Sequence, residues 1–325
     1  MLRPESPEAL AFFGARIRKM AAEYDGVRID HPHGLVCPWV YDRAAADALA
    51  AVAGGARLFE SPDLADHPDL ARYAIARPDQ IDRTATRHAD GWVRSLDRDQ
   101  VERYAVRMGM VVEELKAAGG SDVVCEVLST SPYPLVAVLQ RYGLGRFRVT
   151  QKADLANPRD GYRSENAEPR DWIMVGTHDT APLARVVDGW IERGTAGARA
   201  AYLAERLERE PGRRASLAAS IAGGRGPLVK AMFGDLLASP ARHVLVFMSD
   251  LFGLLDVYNR PGIIDQANWS LRLPNDFERL HAANVAAGSA MDVPRALALA
   301  LRARDDTRLG YNSLADELDR AGQSA

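Results

Sequence analysis

Apolar residues along this chain fall into two alternating rhythms. Leu10, Phe13, Ile17 and Met20 recur at three- and four-residue steps, which predicts an amphipathic helix over residues 7–23. Short apolar runs end or lie at 27–30, 122–126, 146–151, 172–176 and 242–249, each with the length of a buried parallel strand. Helical patterns separate them. Residues 97–118 read as a helix opened by a capping box of Asp97 and Gln100 and closed by Gly119-Gly120. Residues 134–142 read as a short helix closed by Gly143, residues 42–53 as an Ala-rich helix, and residues 182–237 as a long helical region broken at Pro211-Gly212 and at 223–227. Strands separated by helices make a parallel α/β sheet the leading architecture. Residues 57–95, with Pro62, Pro68 and Pro78, break both rhythms and read as an irregular insertion within a single domain spanning 1–325.

Three of the apolar runs lead into a carboxylate: Val27-Arg28-Ile29-Asp30-His31, Val124-Cys125-Glu126-Val127 and Val175-Gly176-Thr177-His178-Asp179. In a (β/α) barrel the C-terminal ends of the strands form the catalytic rim. A single acidic residue after a strand is more often a helix N-cap or a loop ion pair. Asp179 has such an alternative as the cap of the helix after Pro182, and Asp30 as the partner of Arg28 in a core ion pair. Together the three suit retaining glycosidic chemistry, which needs an ionised carboxylate as nucleophile facing a protonated acid about 5–5.5 Å away. Arg28, two residues before Asp30 on the same strand face, would hold Asp30 ionised. Apolar neighbours Val124, Cys125, Val127 and Leu128 would keep Glu126 protonated.

Taken in order, Arg28-x-Asp30-His31, the strand-terminal Glu126 and Gly176-Thr177-His178-Asp179 resemble the 4-α-glucanotransferases, the amylomaltases and disproportionating enzymes of glycoside hydrolase family seventy-seven. Asn259-Arg260-Pro261-Gly262 followed by Asn268-Trp269-Ser270-Leu271-Arg272-Leu273-Pro274 agrees with a further signature of that family. The resemblance implies a (β/α)8 TIM barrel of which this chain carries five parallel strands and helical insertions and lacks the first three strands. It implies Asp30 as nucleophile, Glu126 as acid and base, and Asp179 with His178 as the grip on the reacting sugar's hydroxyls. It implies substrate-binding roles for Arg28, His31, His178, Asn259, Asn268 and Trp269, with no cofactor and no metal. The expected activity is transfer of α-1,4-glucan segments between maltooligosaccharides with retention. An α-glucan hydrolase, or a noncatalytic glucan-binding or assembly subunit, stands as the alternative. The expected partners are α-1,4-glucans and maltooligosaccharides, and a polypeptide supplying the missing strands, with neither nucleic acid nor membrane. Three departures from the family pattern stand out: Cys125-Glu126-Val127-Leu128-Ser129 in place of Ala-Glu-Asp-Leu-Gly, Thr180-Ala181 in place of Asn-Asp, and Lys152 in place of an aromatic.

Composition changes this picture little. With 325 residues, 47% hydrophobic and 26% charged, the chain can bury a core, and a net charge of -3 without a basic stripe gives no nucleic-acid signature. The apolar runs fall far short of the ~20 residues that span a bilayer, and Met1 to Pro7 lack the apolar core of a signal peptide. Two cysteines, Cys37 and Cys125, offer neither a disulfide framework nor a metal spacing, so the cytosol is the expected compartment. His31, His33, His67 and His88 show no metal-ligand spacing. Trp39, Trp92, Trp172 and Tyr258 could stack on sugar faces, with burial in the core the commoner fate of each.

Overall fold

A computed structural model describes residues 6–120, 122–128, 130–304 and 310–322. Ser129, one of the departures above, and residues 1–5 of the leader reading lie outside the described residues. The chain divides into two compact units, residues 1–147 and 148–325.

In the first unit, α1 (Pro7–Glu23) begins where Ser6 Oγ accepts from Ala9 N and Pro7 takes the first position. Of the expected stripe Ile17 is buried and Leu10, Phe13 and Met20 are half-buried, with Ala9, Gly14 and Ala21 buried beside them. The parallel strand β1 (Gly26–Ile29) follows, then the short helix α2 (His33–Val36), the two-residue strand β2 (Trp39–Val40), α3 (Ala48–Ala53) and β3 (Ala56–Arg57). Helix α3 is shorter than the Ala-rich run predicts. Asp42 Oδ1 accepts from Ala44 N and Asp47 Oδ1 from Leu49 N and Ala50 N, so two Asp-led turns compete for the backbone and the helix starts only at Ala48. The antiparallel β2–β3 pair, Trp39 opposite Arg57, was not foreseen.

The predicted capping box opens α4 (Arg98–Ala117): Asp97 Oδ1 accepts from Gln100 N, and Gln100 Oε1 accepts from Asp97 N, both at 2.9 Å. Gly120 lies so close to the chain entering β1 that a Cβ there would meet Asp25 O at 2.7 Å. Next come β4 (Asp122–Cys125), α5 (Tyr133–Tyr142), closed as predicted by Gly143 at φ 63°, and β5 (Gly145–Val149). Strand β4 pairs in parallel with β1 on one side and β5 on the other. Ile17, Val27, Ile29, Val36, Met108, Leu115, Cys125, Leu135 and Val138 fill the core of this unit.

In the second unit, β6 (Trp172–Met174) is followed by α6 (Leu183–Glu192), α7 (Ala196–Leu207), α8 (Pro211–Ile221), α9 (Arg225–Ala238) and β7 (His243–Val244). Strands β6 and β7 are parallel, Trp172 opposite His243 with their rings stacked at 4.7 Å. The expected fifth strand over 242–249 is shorter, because Phe247 turns the chain into α10 (Met248–Leu251). That turn aims Asp250 back at α6, where its Oδ1 accepts from Leu183 N at 2.6 Å. The N-terminus of α6 therefore takes Asp250, and the reading of Asp179 as its cap is set aside. Helices α11 (Phe277–Ala286), α12 (Val293–Arg304) and α13 (Tyr311–Ala321) complete the unit. Both units are α/β with parallel strands.

Asp250 is buried, and burial pushes its carboxyl up to about 6 against the Leu183 hydrogen bond. A raised carboxyl pKa means that the folded state holds a proton the unfolded chain has released, so stability falls as pH rises through that value. Asp250→Asn keeps an acceptor oxygen and abolishes the titration. Urea denaturation should show the variant gaining on the parent by about 1–2 kcal/mol between pH 5 and pH 8; an unchanged difference would remove Asp250 from the titrating groups.

Candidate active site

The β1–β4 register builds the first cluster. Ile29 pairs with Cys125, and Glu126 N donates to Ile29 O at 2.9 Å, so Asp30 and Glu126 stand side by side, each one residue past its strand. Arg28 Nη2 lies 2.9 Å from Asp30 Oδ1 and 2.6 Å from Glu126 Oε2, bridging both carboxyls. Its guanidinium also sits over the Phe147 ring at 5.6 Å, a support that no local motif signals. His31 Nδ1 lies 3.2 Å from Asp30 Oδ1 and 3.7 Å from Glu126 Oε2. His31 reaches this position at φ 48°, in the left-handed region where non-glycine residues are uncommon.

The two carboxyls differ in surroundings. The Asp30 side chain is 62% exposed and that of Glu126 5%. Burial raises the Glu126 pKa, and its hydrogen bond to Asp30 raises it further, against the pull of Arg28. The same hydrogen bond is the largest influence lowering Asp30, with His31 and Arg28 adding to it. The two shifts run in opposite directions, so a proton held by the pair sits on Glu126 and is donated toward Asp30. Arg28 acts as the sequence suggested, but the neighbouring acid does more.

Asp30, His31 and Glu126 each place one donor atom within 4.8 Å of the others, a spacing that a metal ion could use. Arg28 already brings a permanent positive charge against both carboxyls, so the charge a metal would supply is present in the protein.

Arg28 lowers both carboxyl pKa values, so its removal has a definite sign. Arg28→Met is expected to move the whole pH–activity profile upward by about one unit. A profile that stays in place while activity falls would assign Arg28 to positioning alone.

The second cluster lies in the other unit, on the loop after β6. Thr180 Oγ1 accepts from Thr177 N and donates to Thr177 O, closing residues 177–180 into a tight turn. A Cβ on Gly176 would meet that same oxygen at 2.7 Å, which explains the glycine. Asn259 Nδ2 donates to Asp179 Oδ1 at 2.6 Å, and Asn259 N donates to His178 O at 3.0 Å. His178 packs against Trp269 at 5.3 Å between ring centres, and Tyr258 meets the same indole edge to face. Trp269 is 52% exposed and has φ 64°, a costly conformation for a bulky side chain. An exposed indole held by two rings offers a flat surface for the C–H face of a sugar.

The structure thus gathers Arg28, Asp30, His31 and Glu126 in the first unit, and His178, Asp179, Asn259 and Trp269 in the second. Asn268 differs from the rest: its Oδ1 accepts from Arg260 N and its Nδ2 donates to Ile263 O, so its amide clasps the loop behind Asn259. Among the other aromatics, Trp92 is buried and donates to Glu60 O, and Trp39 donates to Val52 O. Among the described residues, no helix is long and apolar enough to cross a membrane.

The sequence model of one family, described as 4-alpha-glucanotransferase, matches residues 6–278. No curated protein sequence matches the chain. Among solved structures, the amylomaltase from Corynebacterium glutamicum is similar with a TM-score of 0.52 at 18% identity, over 87% of this chain and 38% of that one. The amylomaltase from Streptococcus agalactiae in complex with acarbose is similar at 0.48 and 16% identity, over 86% of this chain and 44% of that one. The chain spans less than half the length of either.

Proposed function

Because the chain belongs to the 4-alpha-glucanotransferase family, whose model spans residues 6–278, we propose that it carries the chemistry of a retaining α-1,4-glucan transferase. One observation supports this above all: an exposed carboxylate, Asp30, hydrogen-bonded to a buried carboxyl, Glu126, whose pKa burial raises, with carboxyl oxygens within 4.8 Å of each other. That spacing suits direct attack and leaves no room for the intervening water of an inverting mechanism.

In the first step Glu126 gives its proton to the glycosidic oxygen as the C1–O bond breaks, and an Asp30 oxygen bonds to C1. In the second, the hydroxyl of a maltooligosaccharide acceptor attacks C1, its proton returns to Glu126, and the Asp30–C1 bond breaks with net retention. Asp179 and His178, steadied by Asn259, grip hydroxyls of the reacting sugar, and Trp269 supplies a stacking surface. Arg28 and His31 hold the carboxyl pair and meet the sugar's edge. Asn268 serves substrate binding through the loop it clasps. Hydrolysis uses the same groups with water as the second nucleophile.

The five parallel strands are part of an eight-stranded barrel whose remaining strands come from polypeptide outside these 325 residues. Two buried free cysteines, Cys37 and Cys125, suit a reducing cytoplasmic setting. Maltotriose incubated with the chain, alone and with the polypeptide that completes the barrel, should yield a ladder of longer and shorter maltooligosaccharides. Only glucose and maltose would replace transfer by hydrolysis. Maltodextrin binding with no product in either assembly would make the chain a glucan-binding subunit.

A further inference from the structure

Residues 57–93 carry a charged cluster that the proposed chemistry does not use. Glu60 is 0% exposed, and neither of its carboxyl oxygens has a hydrogen-bond partner. Arg57 is 6% exposed; its Nε lies 3.5 Å from Glu60 Oε2, beyond good hydrogen-bond length, and has no partner either. Native interiors satisfy nearly all such groups, so an acid and a base left facing each other unbonded need a reason.

The rest of Arg57 is engaged. Its Nη2 donates to His88 O at 2.9 Å and its Nη1 contacts Cys37 Sγ at 3.7 Å. Two residues beyond His88, the Asp90 carboxylate accepts from Thr130 Oγ1 at 2.7 Å and from Ser131 N at 2.9 Å, and Asp90 O accepts from Tyr133 N. Thr130 and Ser131 stand four and five residues after Glu126, and Ser131 Oγ is itself buried without a partner. A chain of contacts therefore runs from Glu60 through Arg57 and the 88–90 segment to the loop that follows Glu126.

We propose that Glu60 and Arg57 form a proton-operated latch, open while Glu60 is neutral and closed when it ionises and draws the Arg57 guanidinium into a hydrogen-bonded ion pair, thereby shifting the 88–90 segment and the loop after Glu126. The closing step is small. Glu60 loses one proton to solvent, and Arg57 Nε gains a charged acceptor less than an ångström nearer than now. The surrounding groups fit a neutral starting state. Burial, with the Asp90 charge adding to it, opposes Arg57 and pushes Glu60 up to about 7. Cys37, after α2, is buried and its thiol is pushed up, so it brings no charge. Tyr104 on α4 is held neutral by burial. Arg107, further along α4, lies over the Phe59 ring at 5.7 Å. His33, after β1, has its pKa lowered by burial first and then by the neighbouring His31 and Arg57 charges.

The test needs no substrate. Trp92 Nε1 donates to Glu60 O, so its indole reports on the latch. Trp92 is one of five tryptophans, and Trp92→Phe identifies its share of the emission. The parent should show a Trp92 emission change with a midpoint near pH 7, together with altered hydrogen exchange at residues 86–93 and 130–133 after correction for intrinsic rates. Glu60→Gln should abolish both between pH 6 and pH 8. A parent without the transition, or a Glu60→Gln variant that keeps it at the same midpoint, overturns the latch. Should Glu60→Gln fail to fold, hydrogen exchange on the parent decides alone: protection at 130–133 that is the same at pH 6 and pH 8 refutes it.

Discussion

Asp30→Asn is expected to lower kcat/KM for maltotriose disproportionation by about 10⁴-fold or more, while leaving maltodextrin binding within a few-fold of the parent. The amide is the same size and can keep the Arg28 and His31 contacts in altered form, but it cannot form the ester to C1. It also removes the charge that accepts the Glu126 proton, so Glu126 should titrate lower in the variant than in the parent, since of its three upward influences the Asp30 charge is lost, the Asp30 hydrogen bond is weakened and burial alone stays intact. Product formation followed by size, alongside a binding isotherm, separates the two effects. Full turnover by Asp30→Asn would eliminate the proposed nucleophile.

Glu126→Gln tests the other half of the pair and has a different signature. Loss of a positioned general acid costs about 10²–10⁴-fold. The loss should depend on the leaving group: a donor such as an α-glucosyl fluoride, whose departure needs no proton, should recover most of its first-step rate, whereas maltotriose should not. Equal losses on both donors would remove Glu126 from proton transfer. Glu126 also hydrogen bonds Asp30 as the acid partner; the glutamine amide can still donate there but more weakly than an acid O–H, so the variant should move the acid limb of any residual activity slightly upward.

Much of this site was legible because strand ends are easily read. An apolar run that stops at a charged residue marks the edge of a sheet, and Arg28-x-Asp30-His31, Glu126 and Thr177-His178-Asp179 all stand at such stops. Helix punctuation was equally plain, as the Asp97–Gln100 box and Gly143 illustrate. What failed was long range or very short. Asp250 caps α6 from 67 residues away along the chain, and no local pattern marks that partnership. Strands β2 and β3 have two residues each, too few to show a period. Glu60 follows Leu58-Phe59 and precedes Ser61-Pro62, which reads as a loop, yet the chain folds over it and leaves it with no exposure at all. Asn268 shows the limit of motif reasoning differently: the expected residue is in place, and its amide serves the backbone.

The parallel register of β1 and β4 has a consequence for how this chain can vary. Four residues on each strand are paired, from Gly26 with Asp122 to Ile29 with Cys125. Substitutions there preserve the spacing of the carboxyls as long as the pairing holds, so the alphabet at those positions has latitude. Length has none. One inserted or deleted residue on either strand would displace its carboxyl by about 3.3 Å and turn it to the opposite face of the sheet. In a comparison of descendants, gaps should gather in the irregular 57–93 segment, while the paired positions other than Gly26, whose Cβ would meet Asp122 O at 2.8 Å, and Arg28, which bridges the carboxyls, drift in composition, and none of the eight changes in number.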